Sequence, residues 1–234
     1  MDVIILAGGL GTRLRSVVSE VPKCMAPVCG KPFLAYLFDY LSHYHEIENV
    51  ILSVGYLKEV IEDWVNQQKF LFTILYSTEI EPLGTGGAIK QALEICKSDD
   101  VLILNGDTFF NVDLNKFYAA HKSAPAQLSI ALKPMLHFER YGNVTIDSQH
   151  IITAFEEKKF CEKGHINGGV YLLSAKNTFM NDLSAKFSFE TDVLQTQVKS
   201  QQIYGFEQDT YFIDIGIPED YEKANIEFPH ISQY

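Results

Sequence analysis

The sequence predicts an α/β protein: a mostly parallel but mixed sheet flanked by helices, in a single domain. Three observations carry that expectation. Short, nearly all-apolar runs alternate with longer stretches whose apolar residues recur at three- and four-residue spacing. The first apolar run leads directly into a glycine-rich turn, and the second half switches to alternating runs with short connections. Strands buried on both faces read as continuous apolar segments, and the helices that cover them read as amphipathic stripes.

In order, DVIILA (Asp2 to Ala7), NVILSV (Asn49 to Val54), FTILYS (Phe72 to Ser77) and DVLILN (Asp100 to Asn105) read as strands. KPFLAYLFDYLSHY, YLKEVIEDWVNQQ and TGGAIKQALEICKS lie between them and read as helices, which is the βαβ rhythm of a Rossmann-like sheet. QLSIAL then alternates from Leu128 to Leu132, and YGNVTI, IITAFEE and GVYLLS follow closely enough to predict antiparallel pairing. A helix over Phe189 to Lys199 precedes the strands QIYGFE and YFIDI. The last helix opens at Pro218, with Glu219 and Asp220 in its first turn, where proline fits and acids complement the helix dipole. Internal repeats, linkers and the hexapeptides of a left-handed β-helix are absent from the sequence.

The 234 residues, 47% apolar, suffice for one large domain with a full core. A net charge of −11 disfavours gripping nucleic acid by charge alone but allows a local basic pocket for a phosphorylated small molecule. No apolar run approaches the roughly 20 residues of a membrane span, and the N-terminus has no signal-like pattern, so a cytoplasmic protein without membrane contact is expected. Cys24, Cys29, Cys96 and Cys161 form no C-x-x-C pair and read as reduced thiols. The seven histidines lack H-E-x-x-H spacing, and G-x-S-x-G is absent, which leaves no zinc protease or hydrolase reading. His43 and His45 read as surface residues near a helix end.

The stretch LAGGLGTRLRSVVSEVPKCMAPV concentrates the chemistry. Gly8, Gly9 and Gly11 let backbone amides approach an anion, while Arg13 and Lys23 supply two cations. A tight turn is the plain alternative, yet two cations beside a glycine turn in an acidic chain call for an anion. Two familiar phosphate loops fail: Leu14 stands where G-x-G-x-x-G needs glycine, and the loop ends Gly11-Thr12-Arg13 rather than in a P-loop's G-K-[S/T]. Leu14 thereby disfavours a dinucleotide-binding oxidoreductase.

Other polar constellations sit at element ends. PLGTGGAI (Pro82 to Ile89) is a second glycine loop entering a helix, either a permissive helix start or a ligand loop. Glu79, just before it, could accept from the N1 and N2 donors of guanine, or be merely solvated. NGDTFF and FIDIGIPEDY put Asp107 and Asp214 at strand ends, where each alone could equally form a turn or cap a helix. FEEK places Glu157 beside Lys158, and a polar strand end is its plain reading.

Taken in order, these motifs closely resemble the sugar-1-phosphate nucleotidylyltransferases, whose signature G-x-G-T-R-L is followed by P-K-P-M. Cys24 replaces the second proline of that signature. The resemblance spans Asp2 to Tyr221 and implies the nucleotide-diphospho-sugar transferase type of fold, with a nucleotide-binding half (1–125) and a sugar-phosphate-binding half (126–234). It implies nucleotide contacts from Leu6, Ala7, Gly8, Gly9, Gly11, Thr12, Arg13, Gly84, Thr85 and Asp107, to which the reading of Glu79 adds the base. It further implies sugar-phosphate contacts from Lys23, Tyr141, Gly142, Glu157, Lys158, Asn167 and Gly168, and a Mg²⁺ ion on Asp107 and Asp214. Arg13, Lys23, Asp107, Lys158 and Asp214 would carry catalysis. A sugar phosphate is already ionised near neutral pH, so the reaction needs no strong base.

The chain length and motif wording most resemble the D-glycero-α-D-manno-heptose 1-phosphate guanylyltransferases, which implies GTP and a heptose 1-phosphate as substrates and surface glycans as the destination. Mannose 1-phosphate guanylyltransferases and short amino-sugar uridylyltransferases are near competitors. A binding-only sugar-nucleotide sensor is the reading from another class; it would be expected to lack Asp107, Asp214 or Lys23, and all three are present. A homodimer stays open.

Overall fold

The computed structural model describes residues 1–9, 11, 14, 17–18, 20–200 and 202–231. Its centre is a seven-stranded sheet in the order β12-β8-β11-β6-β1-β4-β5. Strands β1 (Asp2–Leu6), β4 (Asn49–Val54), β5 (Thr73–Thr78) and β6 (Asp100–Asn105) run parallel, as the apolar runs predict. Between β1 and β4 lie the short hairpin β2 (Pro27–Val28) and β3 (Lys31–Pro32) and helix α1 (Phe33–Leu41). Helices α2 (Lys58–Asn66) and α3 (Gly84–Leu93) connect the next strands.

The alternation within each strand explains why the runs carry so few polar residues. Val3 and Ile5 of β1 and Leu102 and Leu104 of β6 enter the core on the side of α1. Ile4, Val101 and Ile103 enter the opposite core beside Ile89 and Ala92 of α3. Both faces are dry, so both residue parities must be apolar.

The second half carries the antiparallel part. β8 (Leu128–Phe138) and β11 (Cys161–Ser174) form a long ladder, and β11 also pairs antiparallel with β6. Their register shifts between Asn167 and Tyr171. β9 (Val144–Ile146) pairs with β10 (Ile152–Phe155), and β12 (Ile203–Glu207) returns parallel to β8. Two further elements frame the site: β7 (Thr108–Phe110) pairs antiparallel with β13 (Phe212–Asp214). Helix α4 (Leu114–Ser123) starts at Asp113, whose carboxylate accepts from the Lys116 backbone N–H as an N-cap.

The expected helix over Phe189 to Lys199 is a composite: π-helical over Phe189–Leu194, α-helical as α5 (Gln195–Gln197), then a 3-10 turn over Val198–Ser200. Ser188 caps it, its hydroxyl accepting from the Thr191 N–H at 3.2 Å. Helix α6 (Pro218–Glu227) opens at Pro218 as expected. Among the described residues no helix is long and apolar enough to cross a membrane.

The chain builds β4 and β5 on one side of β1 and then crosses to place β6 on the other. Such a reversal opens a crevice at the carboxyl ends of the strands flanking it. Here the crevice lies beyond Leu6 and Asn105.

Candidate active site

A cavity of 280 Å³ fills that crevice. Leu6, Gly8, Gly9, Glu79, Gly84, Thr85 and Asp107, all expected at a nucleotide, line it together with Ser53, Pro82, Ala88 and Asn105. Ala7 does not: it is buried in the core, and its N–H continues the sheet by donating to the Ser53 carbonyl at 2.8 Å. Gly11 packs against the stem of Lys23. The expectations for Thr12 and Arg13 lie outside the described residues.

The β7–β13 ladder brings the two aspartates together across the long stretch of chain between them. Asp214 stands opposite Thr108, and the Ile215 N–H donates to the Asp107 carbonyl at 3.0 Å. Between the two carboxylates sits Lys23, its Nζ 2.5 Å from Asp107 Oδ2 and 3.7 Å from Asp214 Oδ1. The Gly216 N–H donates to Asp214 Oδ1 at 2.7 Å, and the Thr108 hydroxyl to Asp107 Oδ1 at 3.2 Å. The lysine side chain is 12% exposed, against 35% for Asp107 and 22% for Asp214. Lys23 begins a single 3-10 turn, Lys23–Met25, directly after Pro22. Cys24, in the second position of that turn, is buried with its thiol toward the Ala7 carbonyl, and burial pushes its pKa up to about 12.

Two facing carboxylates with hard oxygen donors suit a magnesium-like ion that completes its shell with water and substrate phosphate. An ammonium already standing between them is the stand-in that shows the gap accepts a cation. Among the described residues no group of three or more His, Cys, Asp or Glu side chains gathers around a metal position.

The second glycine loop is less open than its sequence suggests. The Thr85 hydroxyl donates to Glu190 at 2.6 Å and accepts from the Phe189 N–H at 2.9 Å. A Cβ on Gly87 would lie 2.2 Å from the Ala185 carbonyl oxygen, so glycine there allows close packing of α3 on residues 185–190. Glu79 is also partly committed: its Oε2 accepts from the Leu83 N–H at 2.9 Å, while Oε1 lies 3.4 Å from the Ser53 hydroxyl.

In the second half of the chain, the register shift in β11 gathers Asn167, Gly168 and Gly169. Asn167 Nδ2 donates to the Tyr171 hydroxyl at 3.0 Å, and its Oδ1 accepts from the Gly169 N–H at 3.0 Å. Gly169, at φ +70°, packs on Asn105, which links this bulge to the cavity wall. Gly168 packs on Phe110, and Gly142 abuts the Glu156 carbonyl. Tyr141 lines a second, 270 Å³ cavity that includes Asp214, Arg140 and Asp220. Burial, reinforced by the Asp214 charge, raises the Tyr141 pKa well above the ordinary phenol range. Glu157 and Lys158 are exposed beyond the end of β10; the ion pair there joins their neighbours Glu156 and Lys159 at 2.8 Å. No hydrogen bond or ion pair among the described residues ties Glu157 or Lys158 to the Asp107–Lys23–Asp214 group.

Sequence reasoning passed over Ser53, Asn105, Arg140 and Glu190. Ser53 and Asn105 were the detectable ones, being polar residues near the carboxyl ends of otherwise apolar strands. Glu190 carries no sequence signal, because its contact with Thr85 spans 105 positions.

A profile of the family described as Nucleotidyl transferase matches residues 2–230. The chain belongs to the nucleotidyl transferase family. Within it, the chain is 52% identical to the D-glycero-alpha-D-manno-heptose 1-phosphate guanylyltransferase of Aneurinibacillus thermoaerophilus, over 98% of this chain and 99% of that one. It is 48% identical to the enzyme of the same name from Campylobacter jejuni, over 94% and 97%. HddC from Yersinia pseudotuberculosis, solved in complex with GMP-PN, superposes with a TM-score of 0.84 at 39% identity, covering 97% of this chain and 99% of that chain. A Bacillus anthracis structure described as a putative glucose-1-phosphate thymidylyltransferase, 21% identical, shares the fold with a TM-score of 0.85, covering 99% of this chain and 96% of that one. Asp107 lines the cavity together with Gly8 and Gly9 of the first glycine loop, and Lys23 joins it to Asp214.

Proposed function

We propose that the protein transfers the guanylyl group of GTP to D-glycero-α-D-manno-heptose 1-phosphate. A phosphate oxygen of the sugar 1-phosphate attacks the α-phosphorus, the bond from that phosphorus to the bridging oxygen breaks, and pyrophosphate leaves with the electron pair. GDP-heptose is the product. The observation that carries this reading is 52% identity, end to end, with a guanylyltransferase for that sugar phosphate. The geometry agrees, since a cavity at the sheet's topological switch point opens onto Asp107.

In this reading the glycine loop and Arg13 hold the triphosphate, and the Glu79 carboxylate faces the N1 and N2 donors of guanine. Gly84 and Thr85 border the nucleoside. The Thr85 hydroxyl is already committed to Glu190, so its contribution is to fix the loop rather than to donate to the ligand. Tyr141, Gly142, Glu157, Asn167 and Gly168 surround the sugar, and Lys23 and Lys158 offset the charge of its phosphate. Asp107 and Asp214 would hold Mg²⁺, which when bound supplies neutralisation of phosphate charge. Repulsion between two polyanions is the main barrier, so positioning and charge compensation supply the catalysis. The division into a nucleotide half, 1–125, and a sugar half, 126–234, a cytoplasmic location, a homodimeric assembly and a role in capsule, lipopolysaccharide or S-layer glycans belong to the same proposal.

The test is pyrophosphate release with Mg²⁺, crossing GTP, ATP, CTP, UTP and dTTP with heptose, mannose and N-acetylhexosamine 1-phosphates. Release with GTP and heptose 1-phosphate alone is the expected result. Another active pair would replace the substrate, and silence with every pair would leave a binding protein.

A further inference from the structure

Two carboxylates turned toward one gap repel each other unless a cation stands between them. In this protein that cation is its own: Lys23 reaches both Asp107 and Asp214, and its side chain is nearly covered. Each acid is steadied from another direction, Asp214 by the Gly216 N–H and Asp107 by the Thr108 hydroxyl. The acids are therefore anchored at the paired strands, Asp214 on β13 and Asp107 directly before β7, whereas the lysine head rides on a flexible four-carbon stem from a one-turn helix. The carboxylates form the fixed part of the cluster and the ammonium the movable part.

The same two carboxylates are the donor set for a divalent ion, and one gap cannot hold the ammonium and the ion together. We propose that Lys23 is an exchangeable internal cation, which keeps the seat between Asp107 and Asp214 until a divalent metal takes it and is then released toward the phosphate of the second substrate. This rests on the metal-assisted transfer reading above and adds an order to it. Before metal arrives, the lysine is committed to the acids and offers no charge to a sugar phosphate. Once metal is seated, the lysine is free to help bind one. Metal loading and sugar-phosphate capture are thereby coupled through one side chain, and an unloaded enzyme does not fill its sugar site prematurely.

The first test is brief amine acetylation of the intact protein, with labelling at Lys23 read by mass spectrometry. Labelling should be slow in EDTA, rise severalfold with Mn²⁺ alone, and fall again when inorganic phosphate is added to the Mn²⁺ form. Lys90, whose ammonium donates to the Met180 and Leu183 carbonyls, is the internal standard for an intact fold and should stay slow throughout. Labelling of Lys23 that Mn²⁺ leaves unchanged or slows overturns the exchange. The second test is Mn²⁺ affinity without substrates, followed by the electron paramagnetic resonance of the free ion. Lys23→Met should bind Mn²⁺ at least about tenfold more tightly than wild type, because the competing charge is gone. Adding Asp214→Asn should erase that gain; equal or weaker binding by Lys23→Met counts against the proposal. Pyrophosphate release separates the two readings. A protein that turns over but shows no Mn²⁺-dependent exposure of Lys23 loses only the exchange. One that shows the exposure but transfers no nucleotide keeps the exchange and loses the transfer.

Discussion

The amino and carboxyl ends of the central sheet both carry paired acids, and they treat them differently. At the amino end, Asp2 accepts from Asn49 Nδ2 at 2.8 Å and from the backbone N–H groups of Lys97 at 2.5 Å and Ser98 at 3.0 Å. Asp100 accepts from Lys122 at 2.8 Å and the Tyr118 hydroxyl at 3.3 Å, with the His121 ring at 3.6 Å. Both are almost fully buried. At the carboxyl end, Asp107 and Asp214 are more exposed and share one lysine. Asp2 is held by two backbone amides and the buried Asp100 by three side chains of α4, so each amino-end acid has its own set of partners, whereas the carboxyl-end acids converge on one side chain. Residue type alone does not separate these two kinds of carboxylate; burial and the sharing of one partner do.

Breaking the carboxyl-end pair should have the largest effect on turnover. Asp107→Asn is expected to lower guanylyl transfer by about 100- to 1000-fold, the usual cost of losing one electrostatic contact to reacting phosphate or oxyanion charge. Its melting temperature should stay near wild type, since no dry, fixed hydrogen-bond set is lost. If the rate held while the protein melted early, the two ends would not differ. Next in size is Gly87→Ala, where the new Cβ meets the Ala185 carbonyl and Leu83 Cβ. It should cost about 2–3 kcal/mol, a fall in melting temperature of about 5–10 °C for a chain of this size. Gly9→Ala, with nothing among the described residues within 4 Å of the new methyl, should leave the melting temperature unchanged and raise the KM for GTP. An early-melting Gly9→Ala would make both glycine loops structural.

That contrast also marks what was legible in the sequence. The parallel strands were readable because burial on both faces leaves no alternation. Gly11 and Lys23, grouped in the sequence, also meet in space. Asp107 and Asp214 were readable singly as strand-end residues, but their meeting depends on the β7–β13 ladder, a long-range pairing that no local pattern encodes. The second loop keeps both of its readings: Gly84 and Thr85 line the cavity, while Gly87 serves packing against Ala185 and Thr85 bonds Glu190, because a glycine that admits a ligand and one that admits a neighbouring backbone look alike in one dimension. The helical segment after Ser188 read as regular for a related reason. Its apolar spacing fits a helix, while the wider π turn arises where Phe189 and Glu190 must also meet the Thr85 loop.

The amino end offers the smaller tests. Asp100→Asn removes the charge that holds Lys122 and should cost about 1–3 kcal/mol, with turnover per folded molecule unchanged. A rate loss without unfolding would assign this end a role in the reaction. The smallest effect is a pH dependence centred on His121, which is buried on α4 with its Nδ1 2.7 Å from the Ser129 hydroxyl. Burial lowers the His121 pKa, and the attraction of Asp100 only partly opposes it. A proton therefore binds the unfolded histidine, at a pKa of about 6.5, before it binds the folded one. The stability this contributes is complete above that value and is lost as pH falls toward the folded pKa. Urea midpoints should decline gently as pH is lowered through this window, and His121→Gln should flatten the decline. A midpoint that rises on acidification in wild type but not in His121→Gln would mean that Asp100 outweighs burial, turning the amino end into a charged pair of the kind seen at the site.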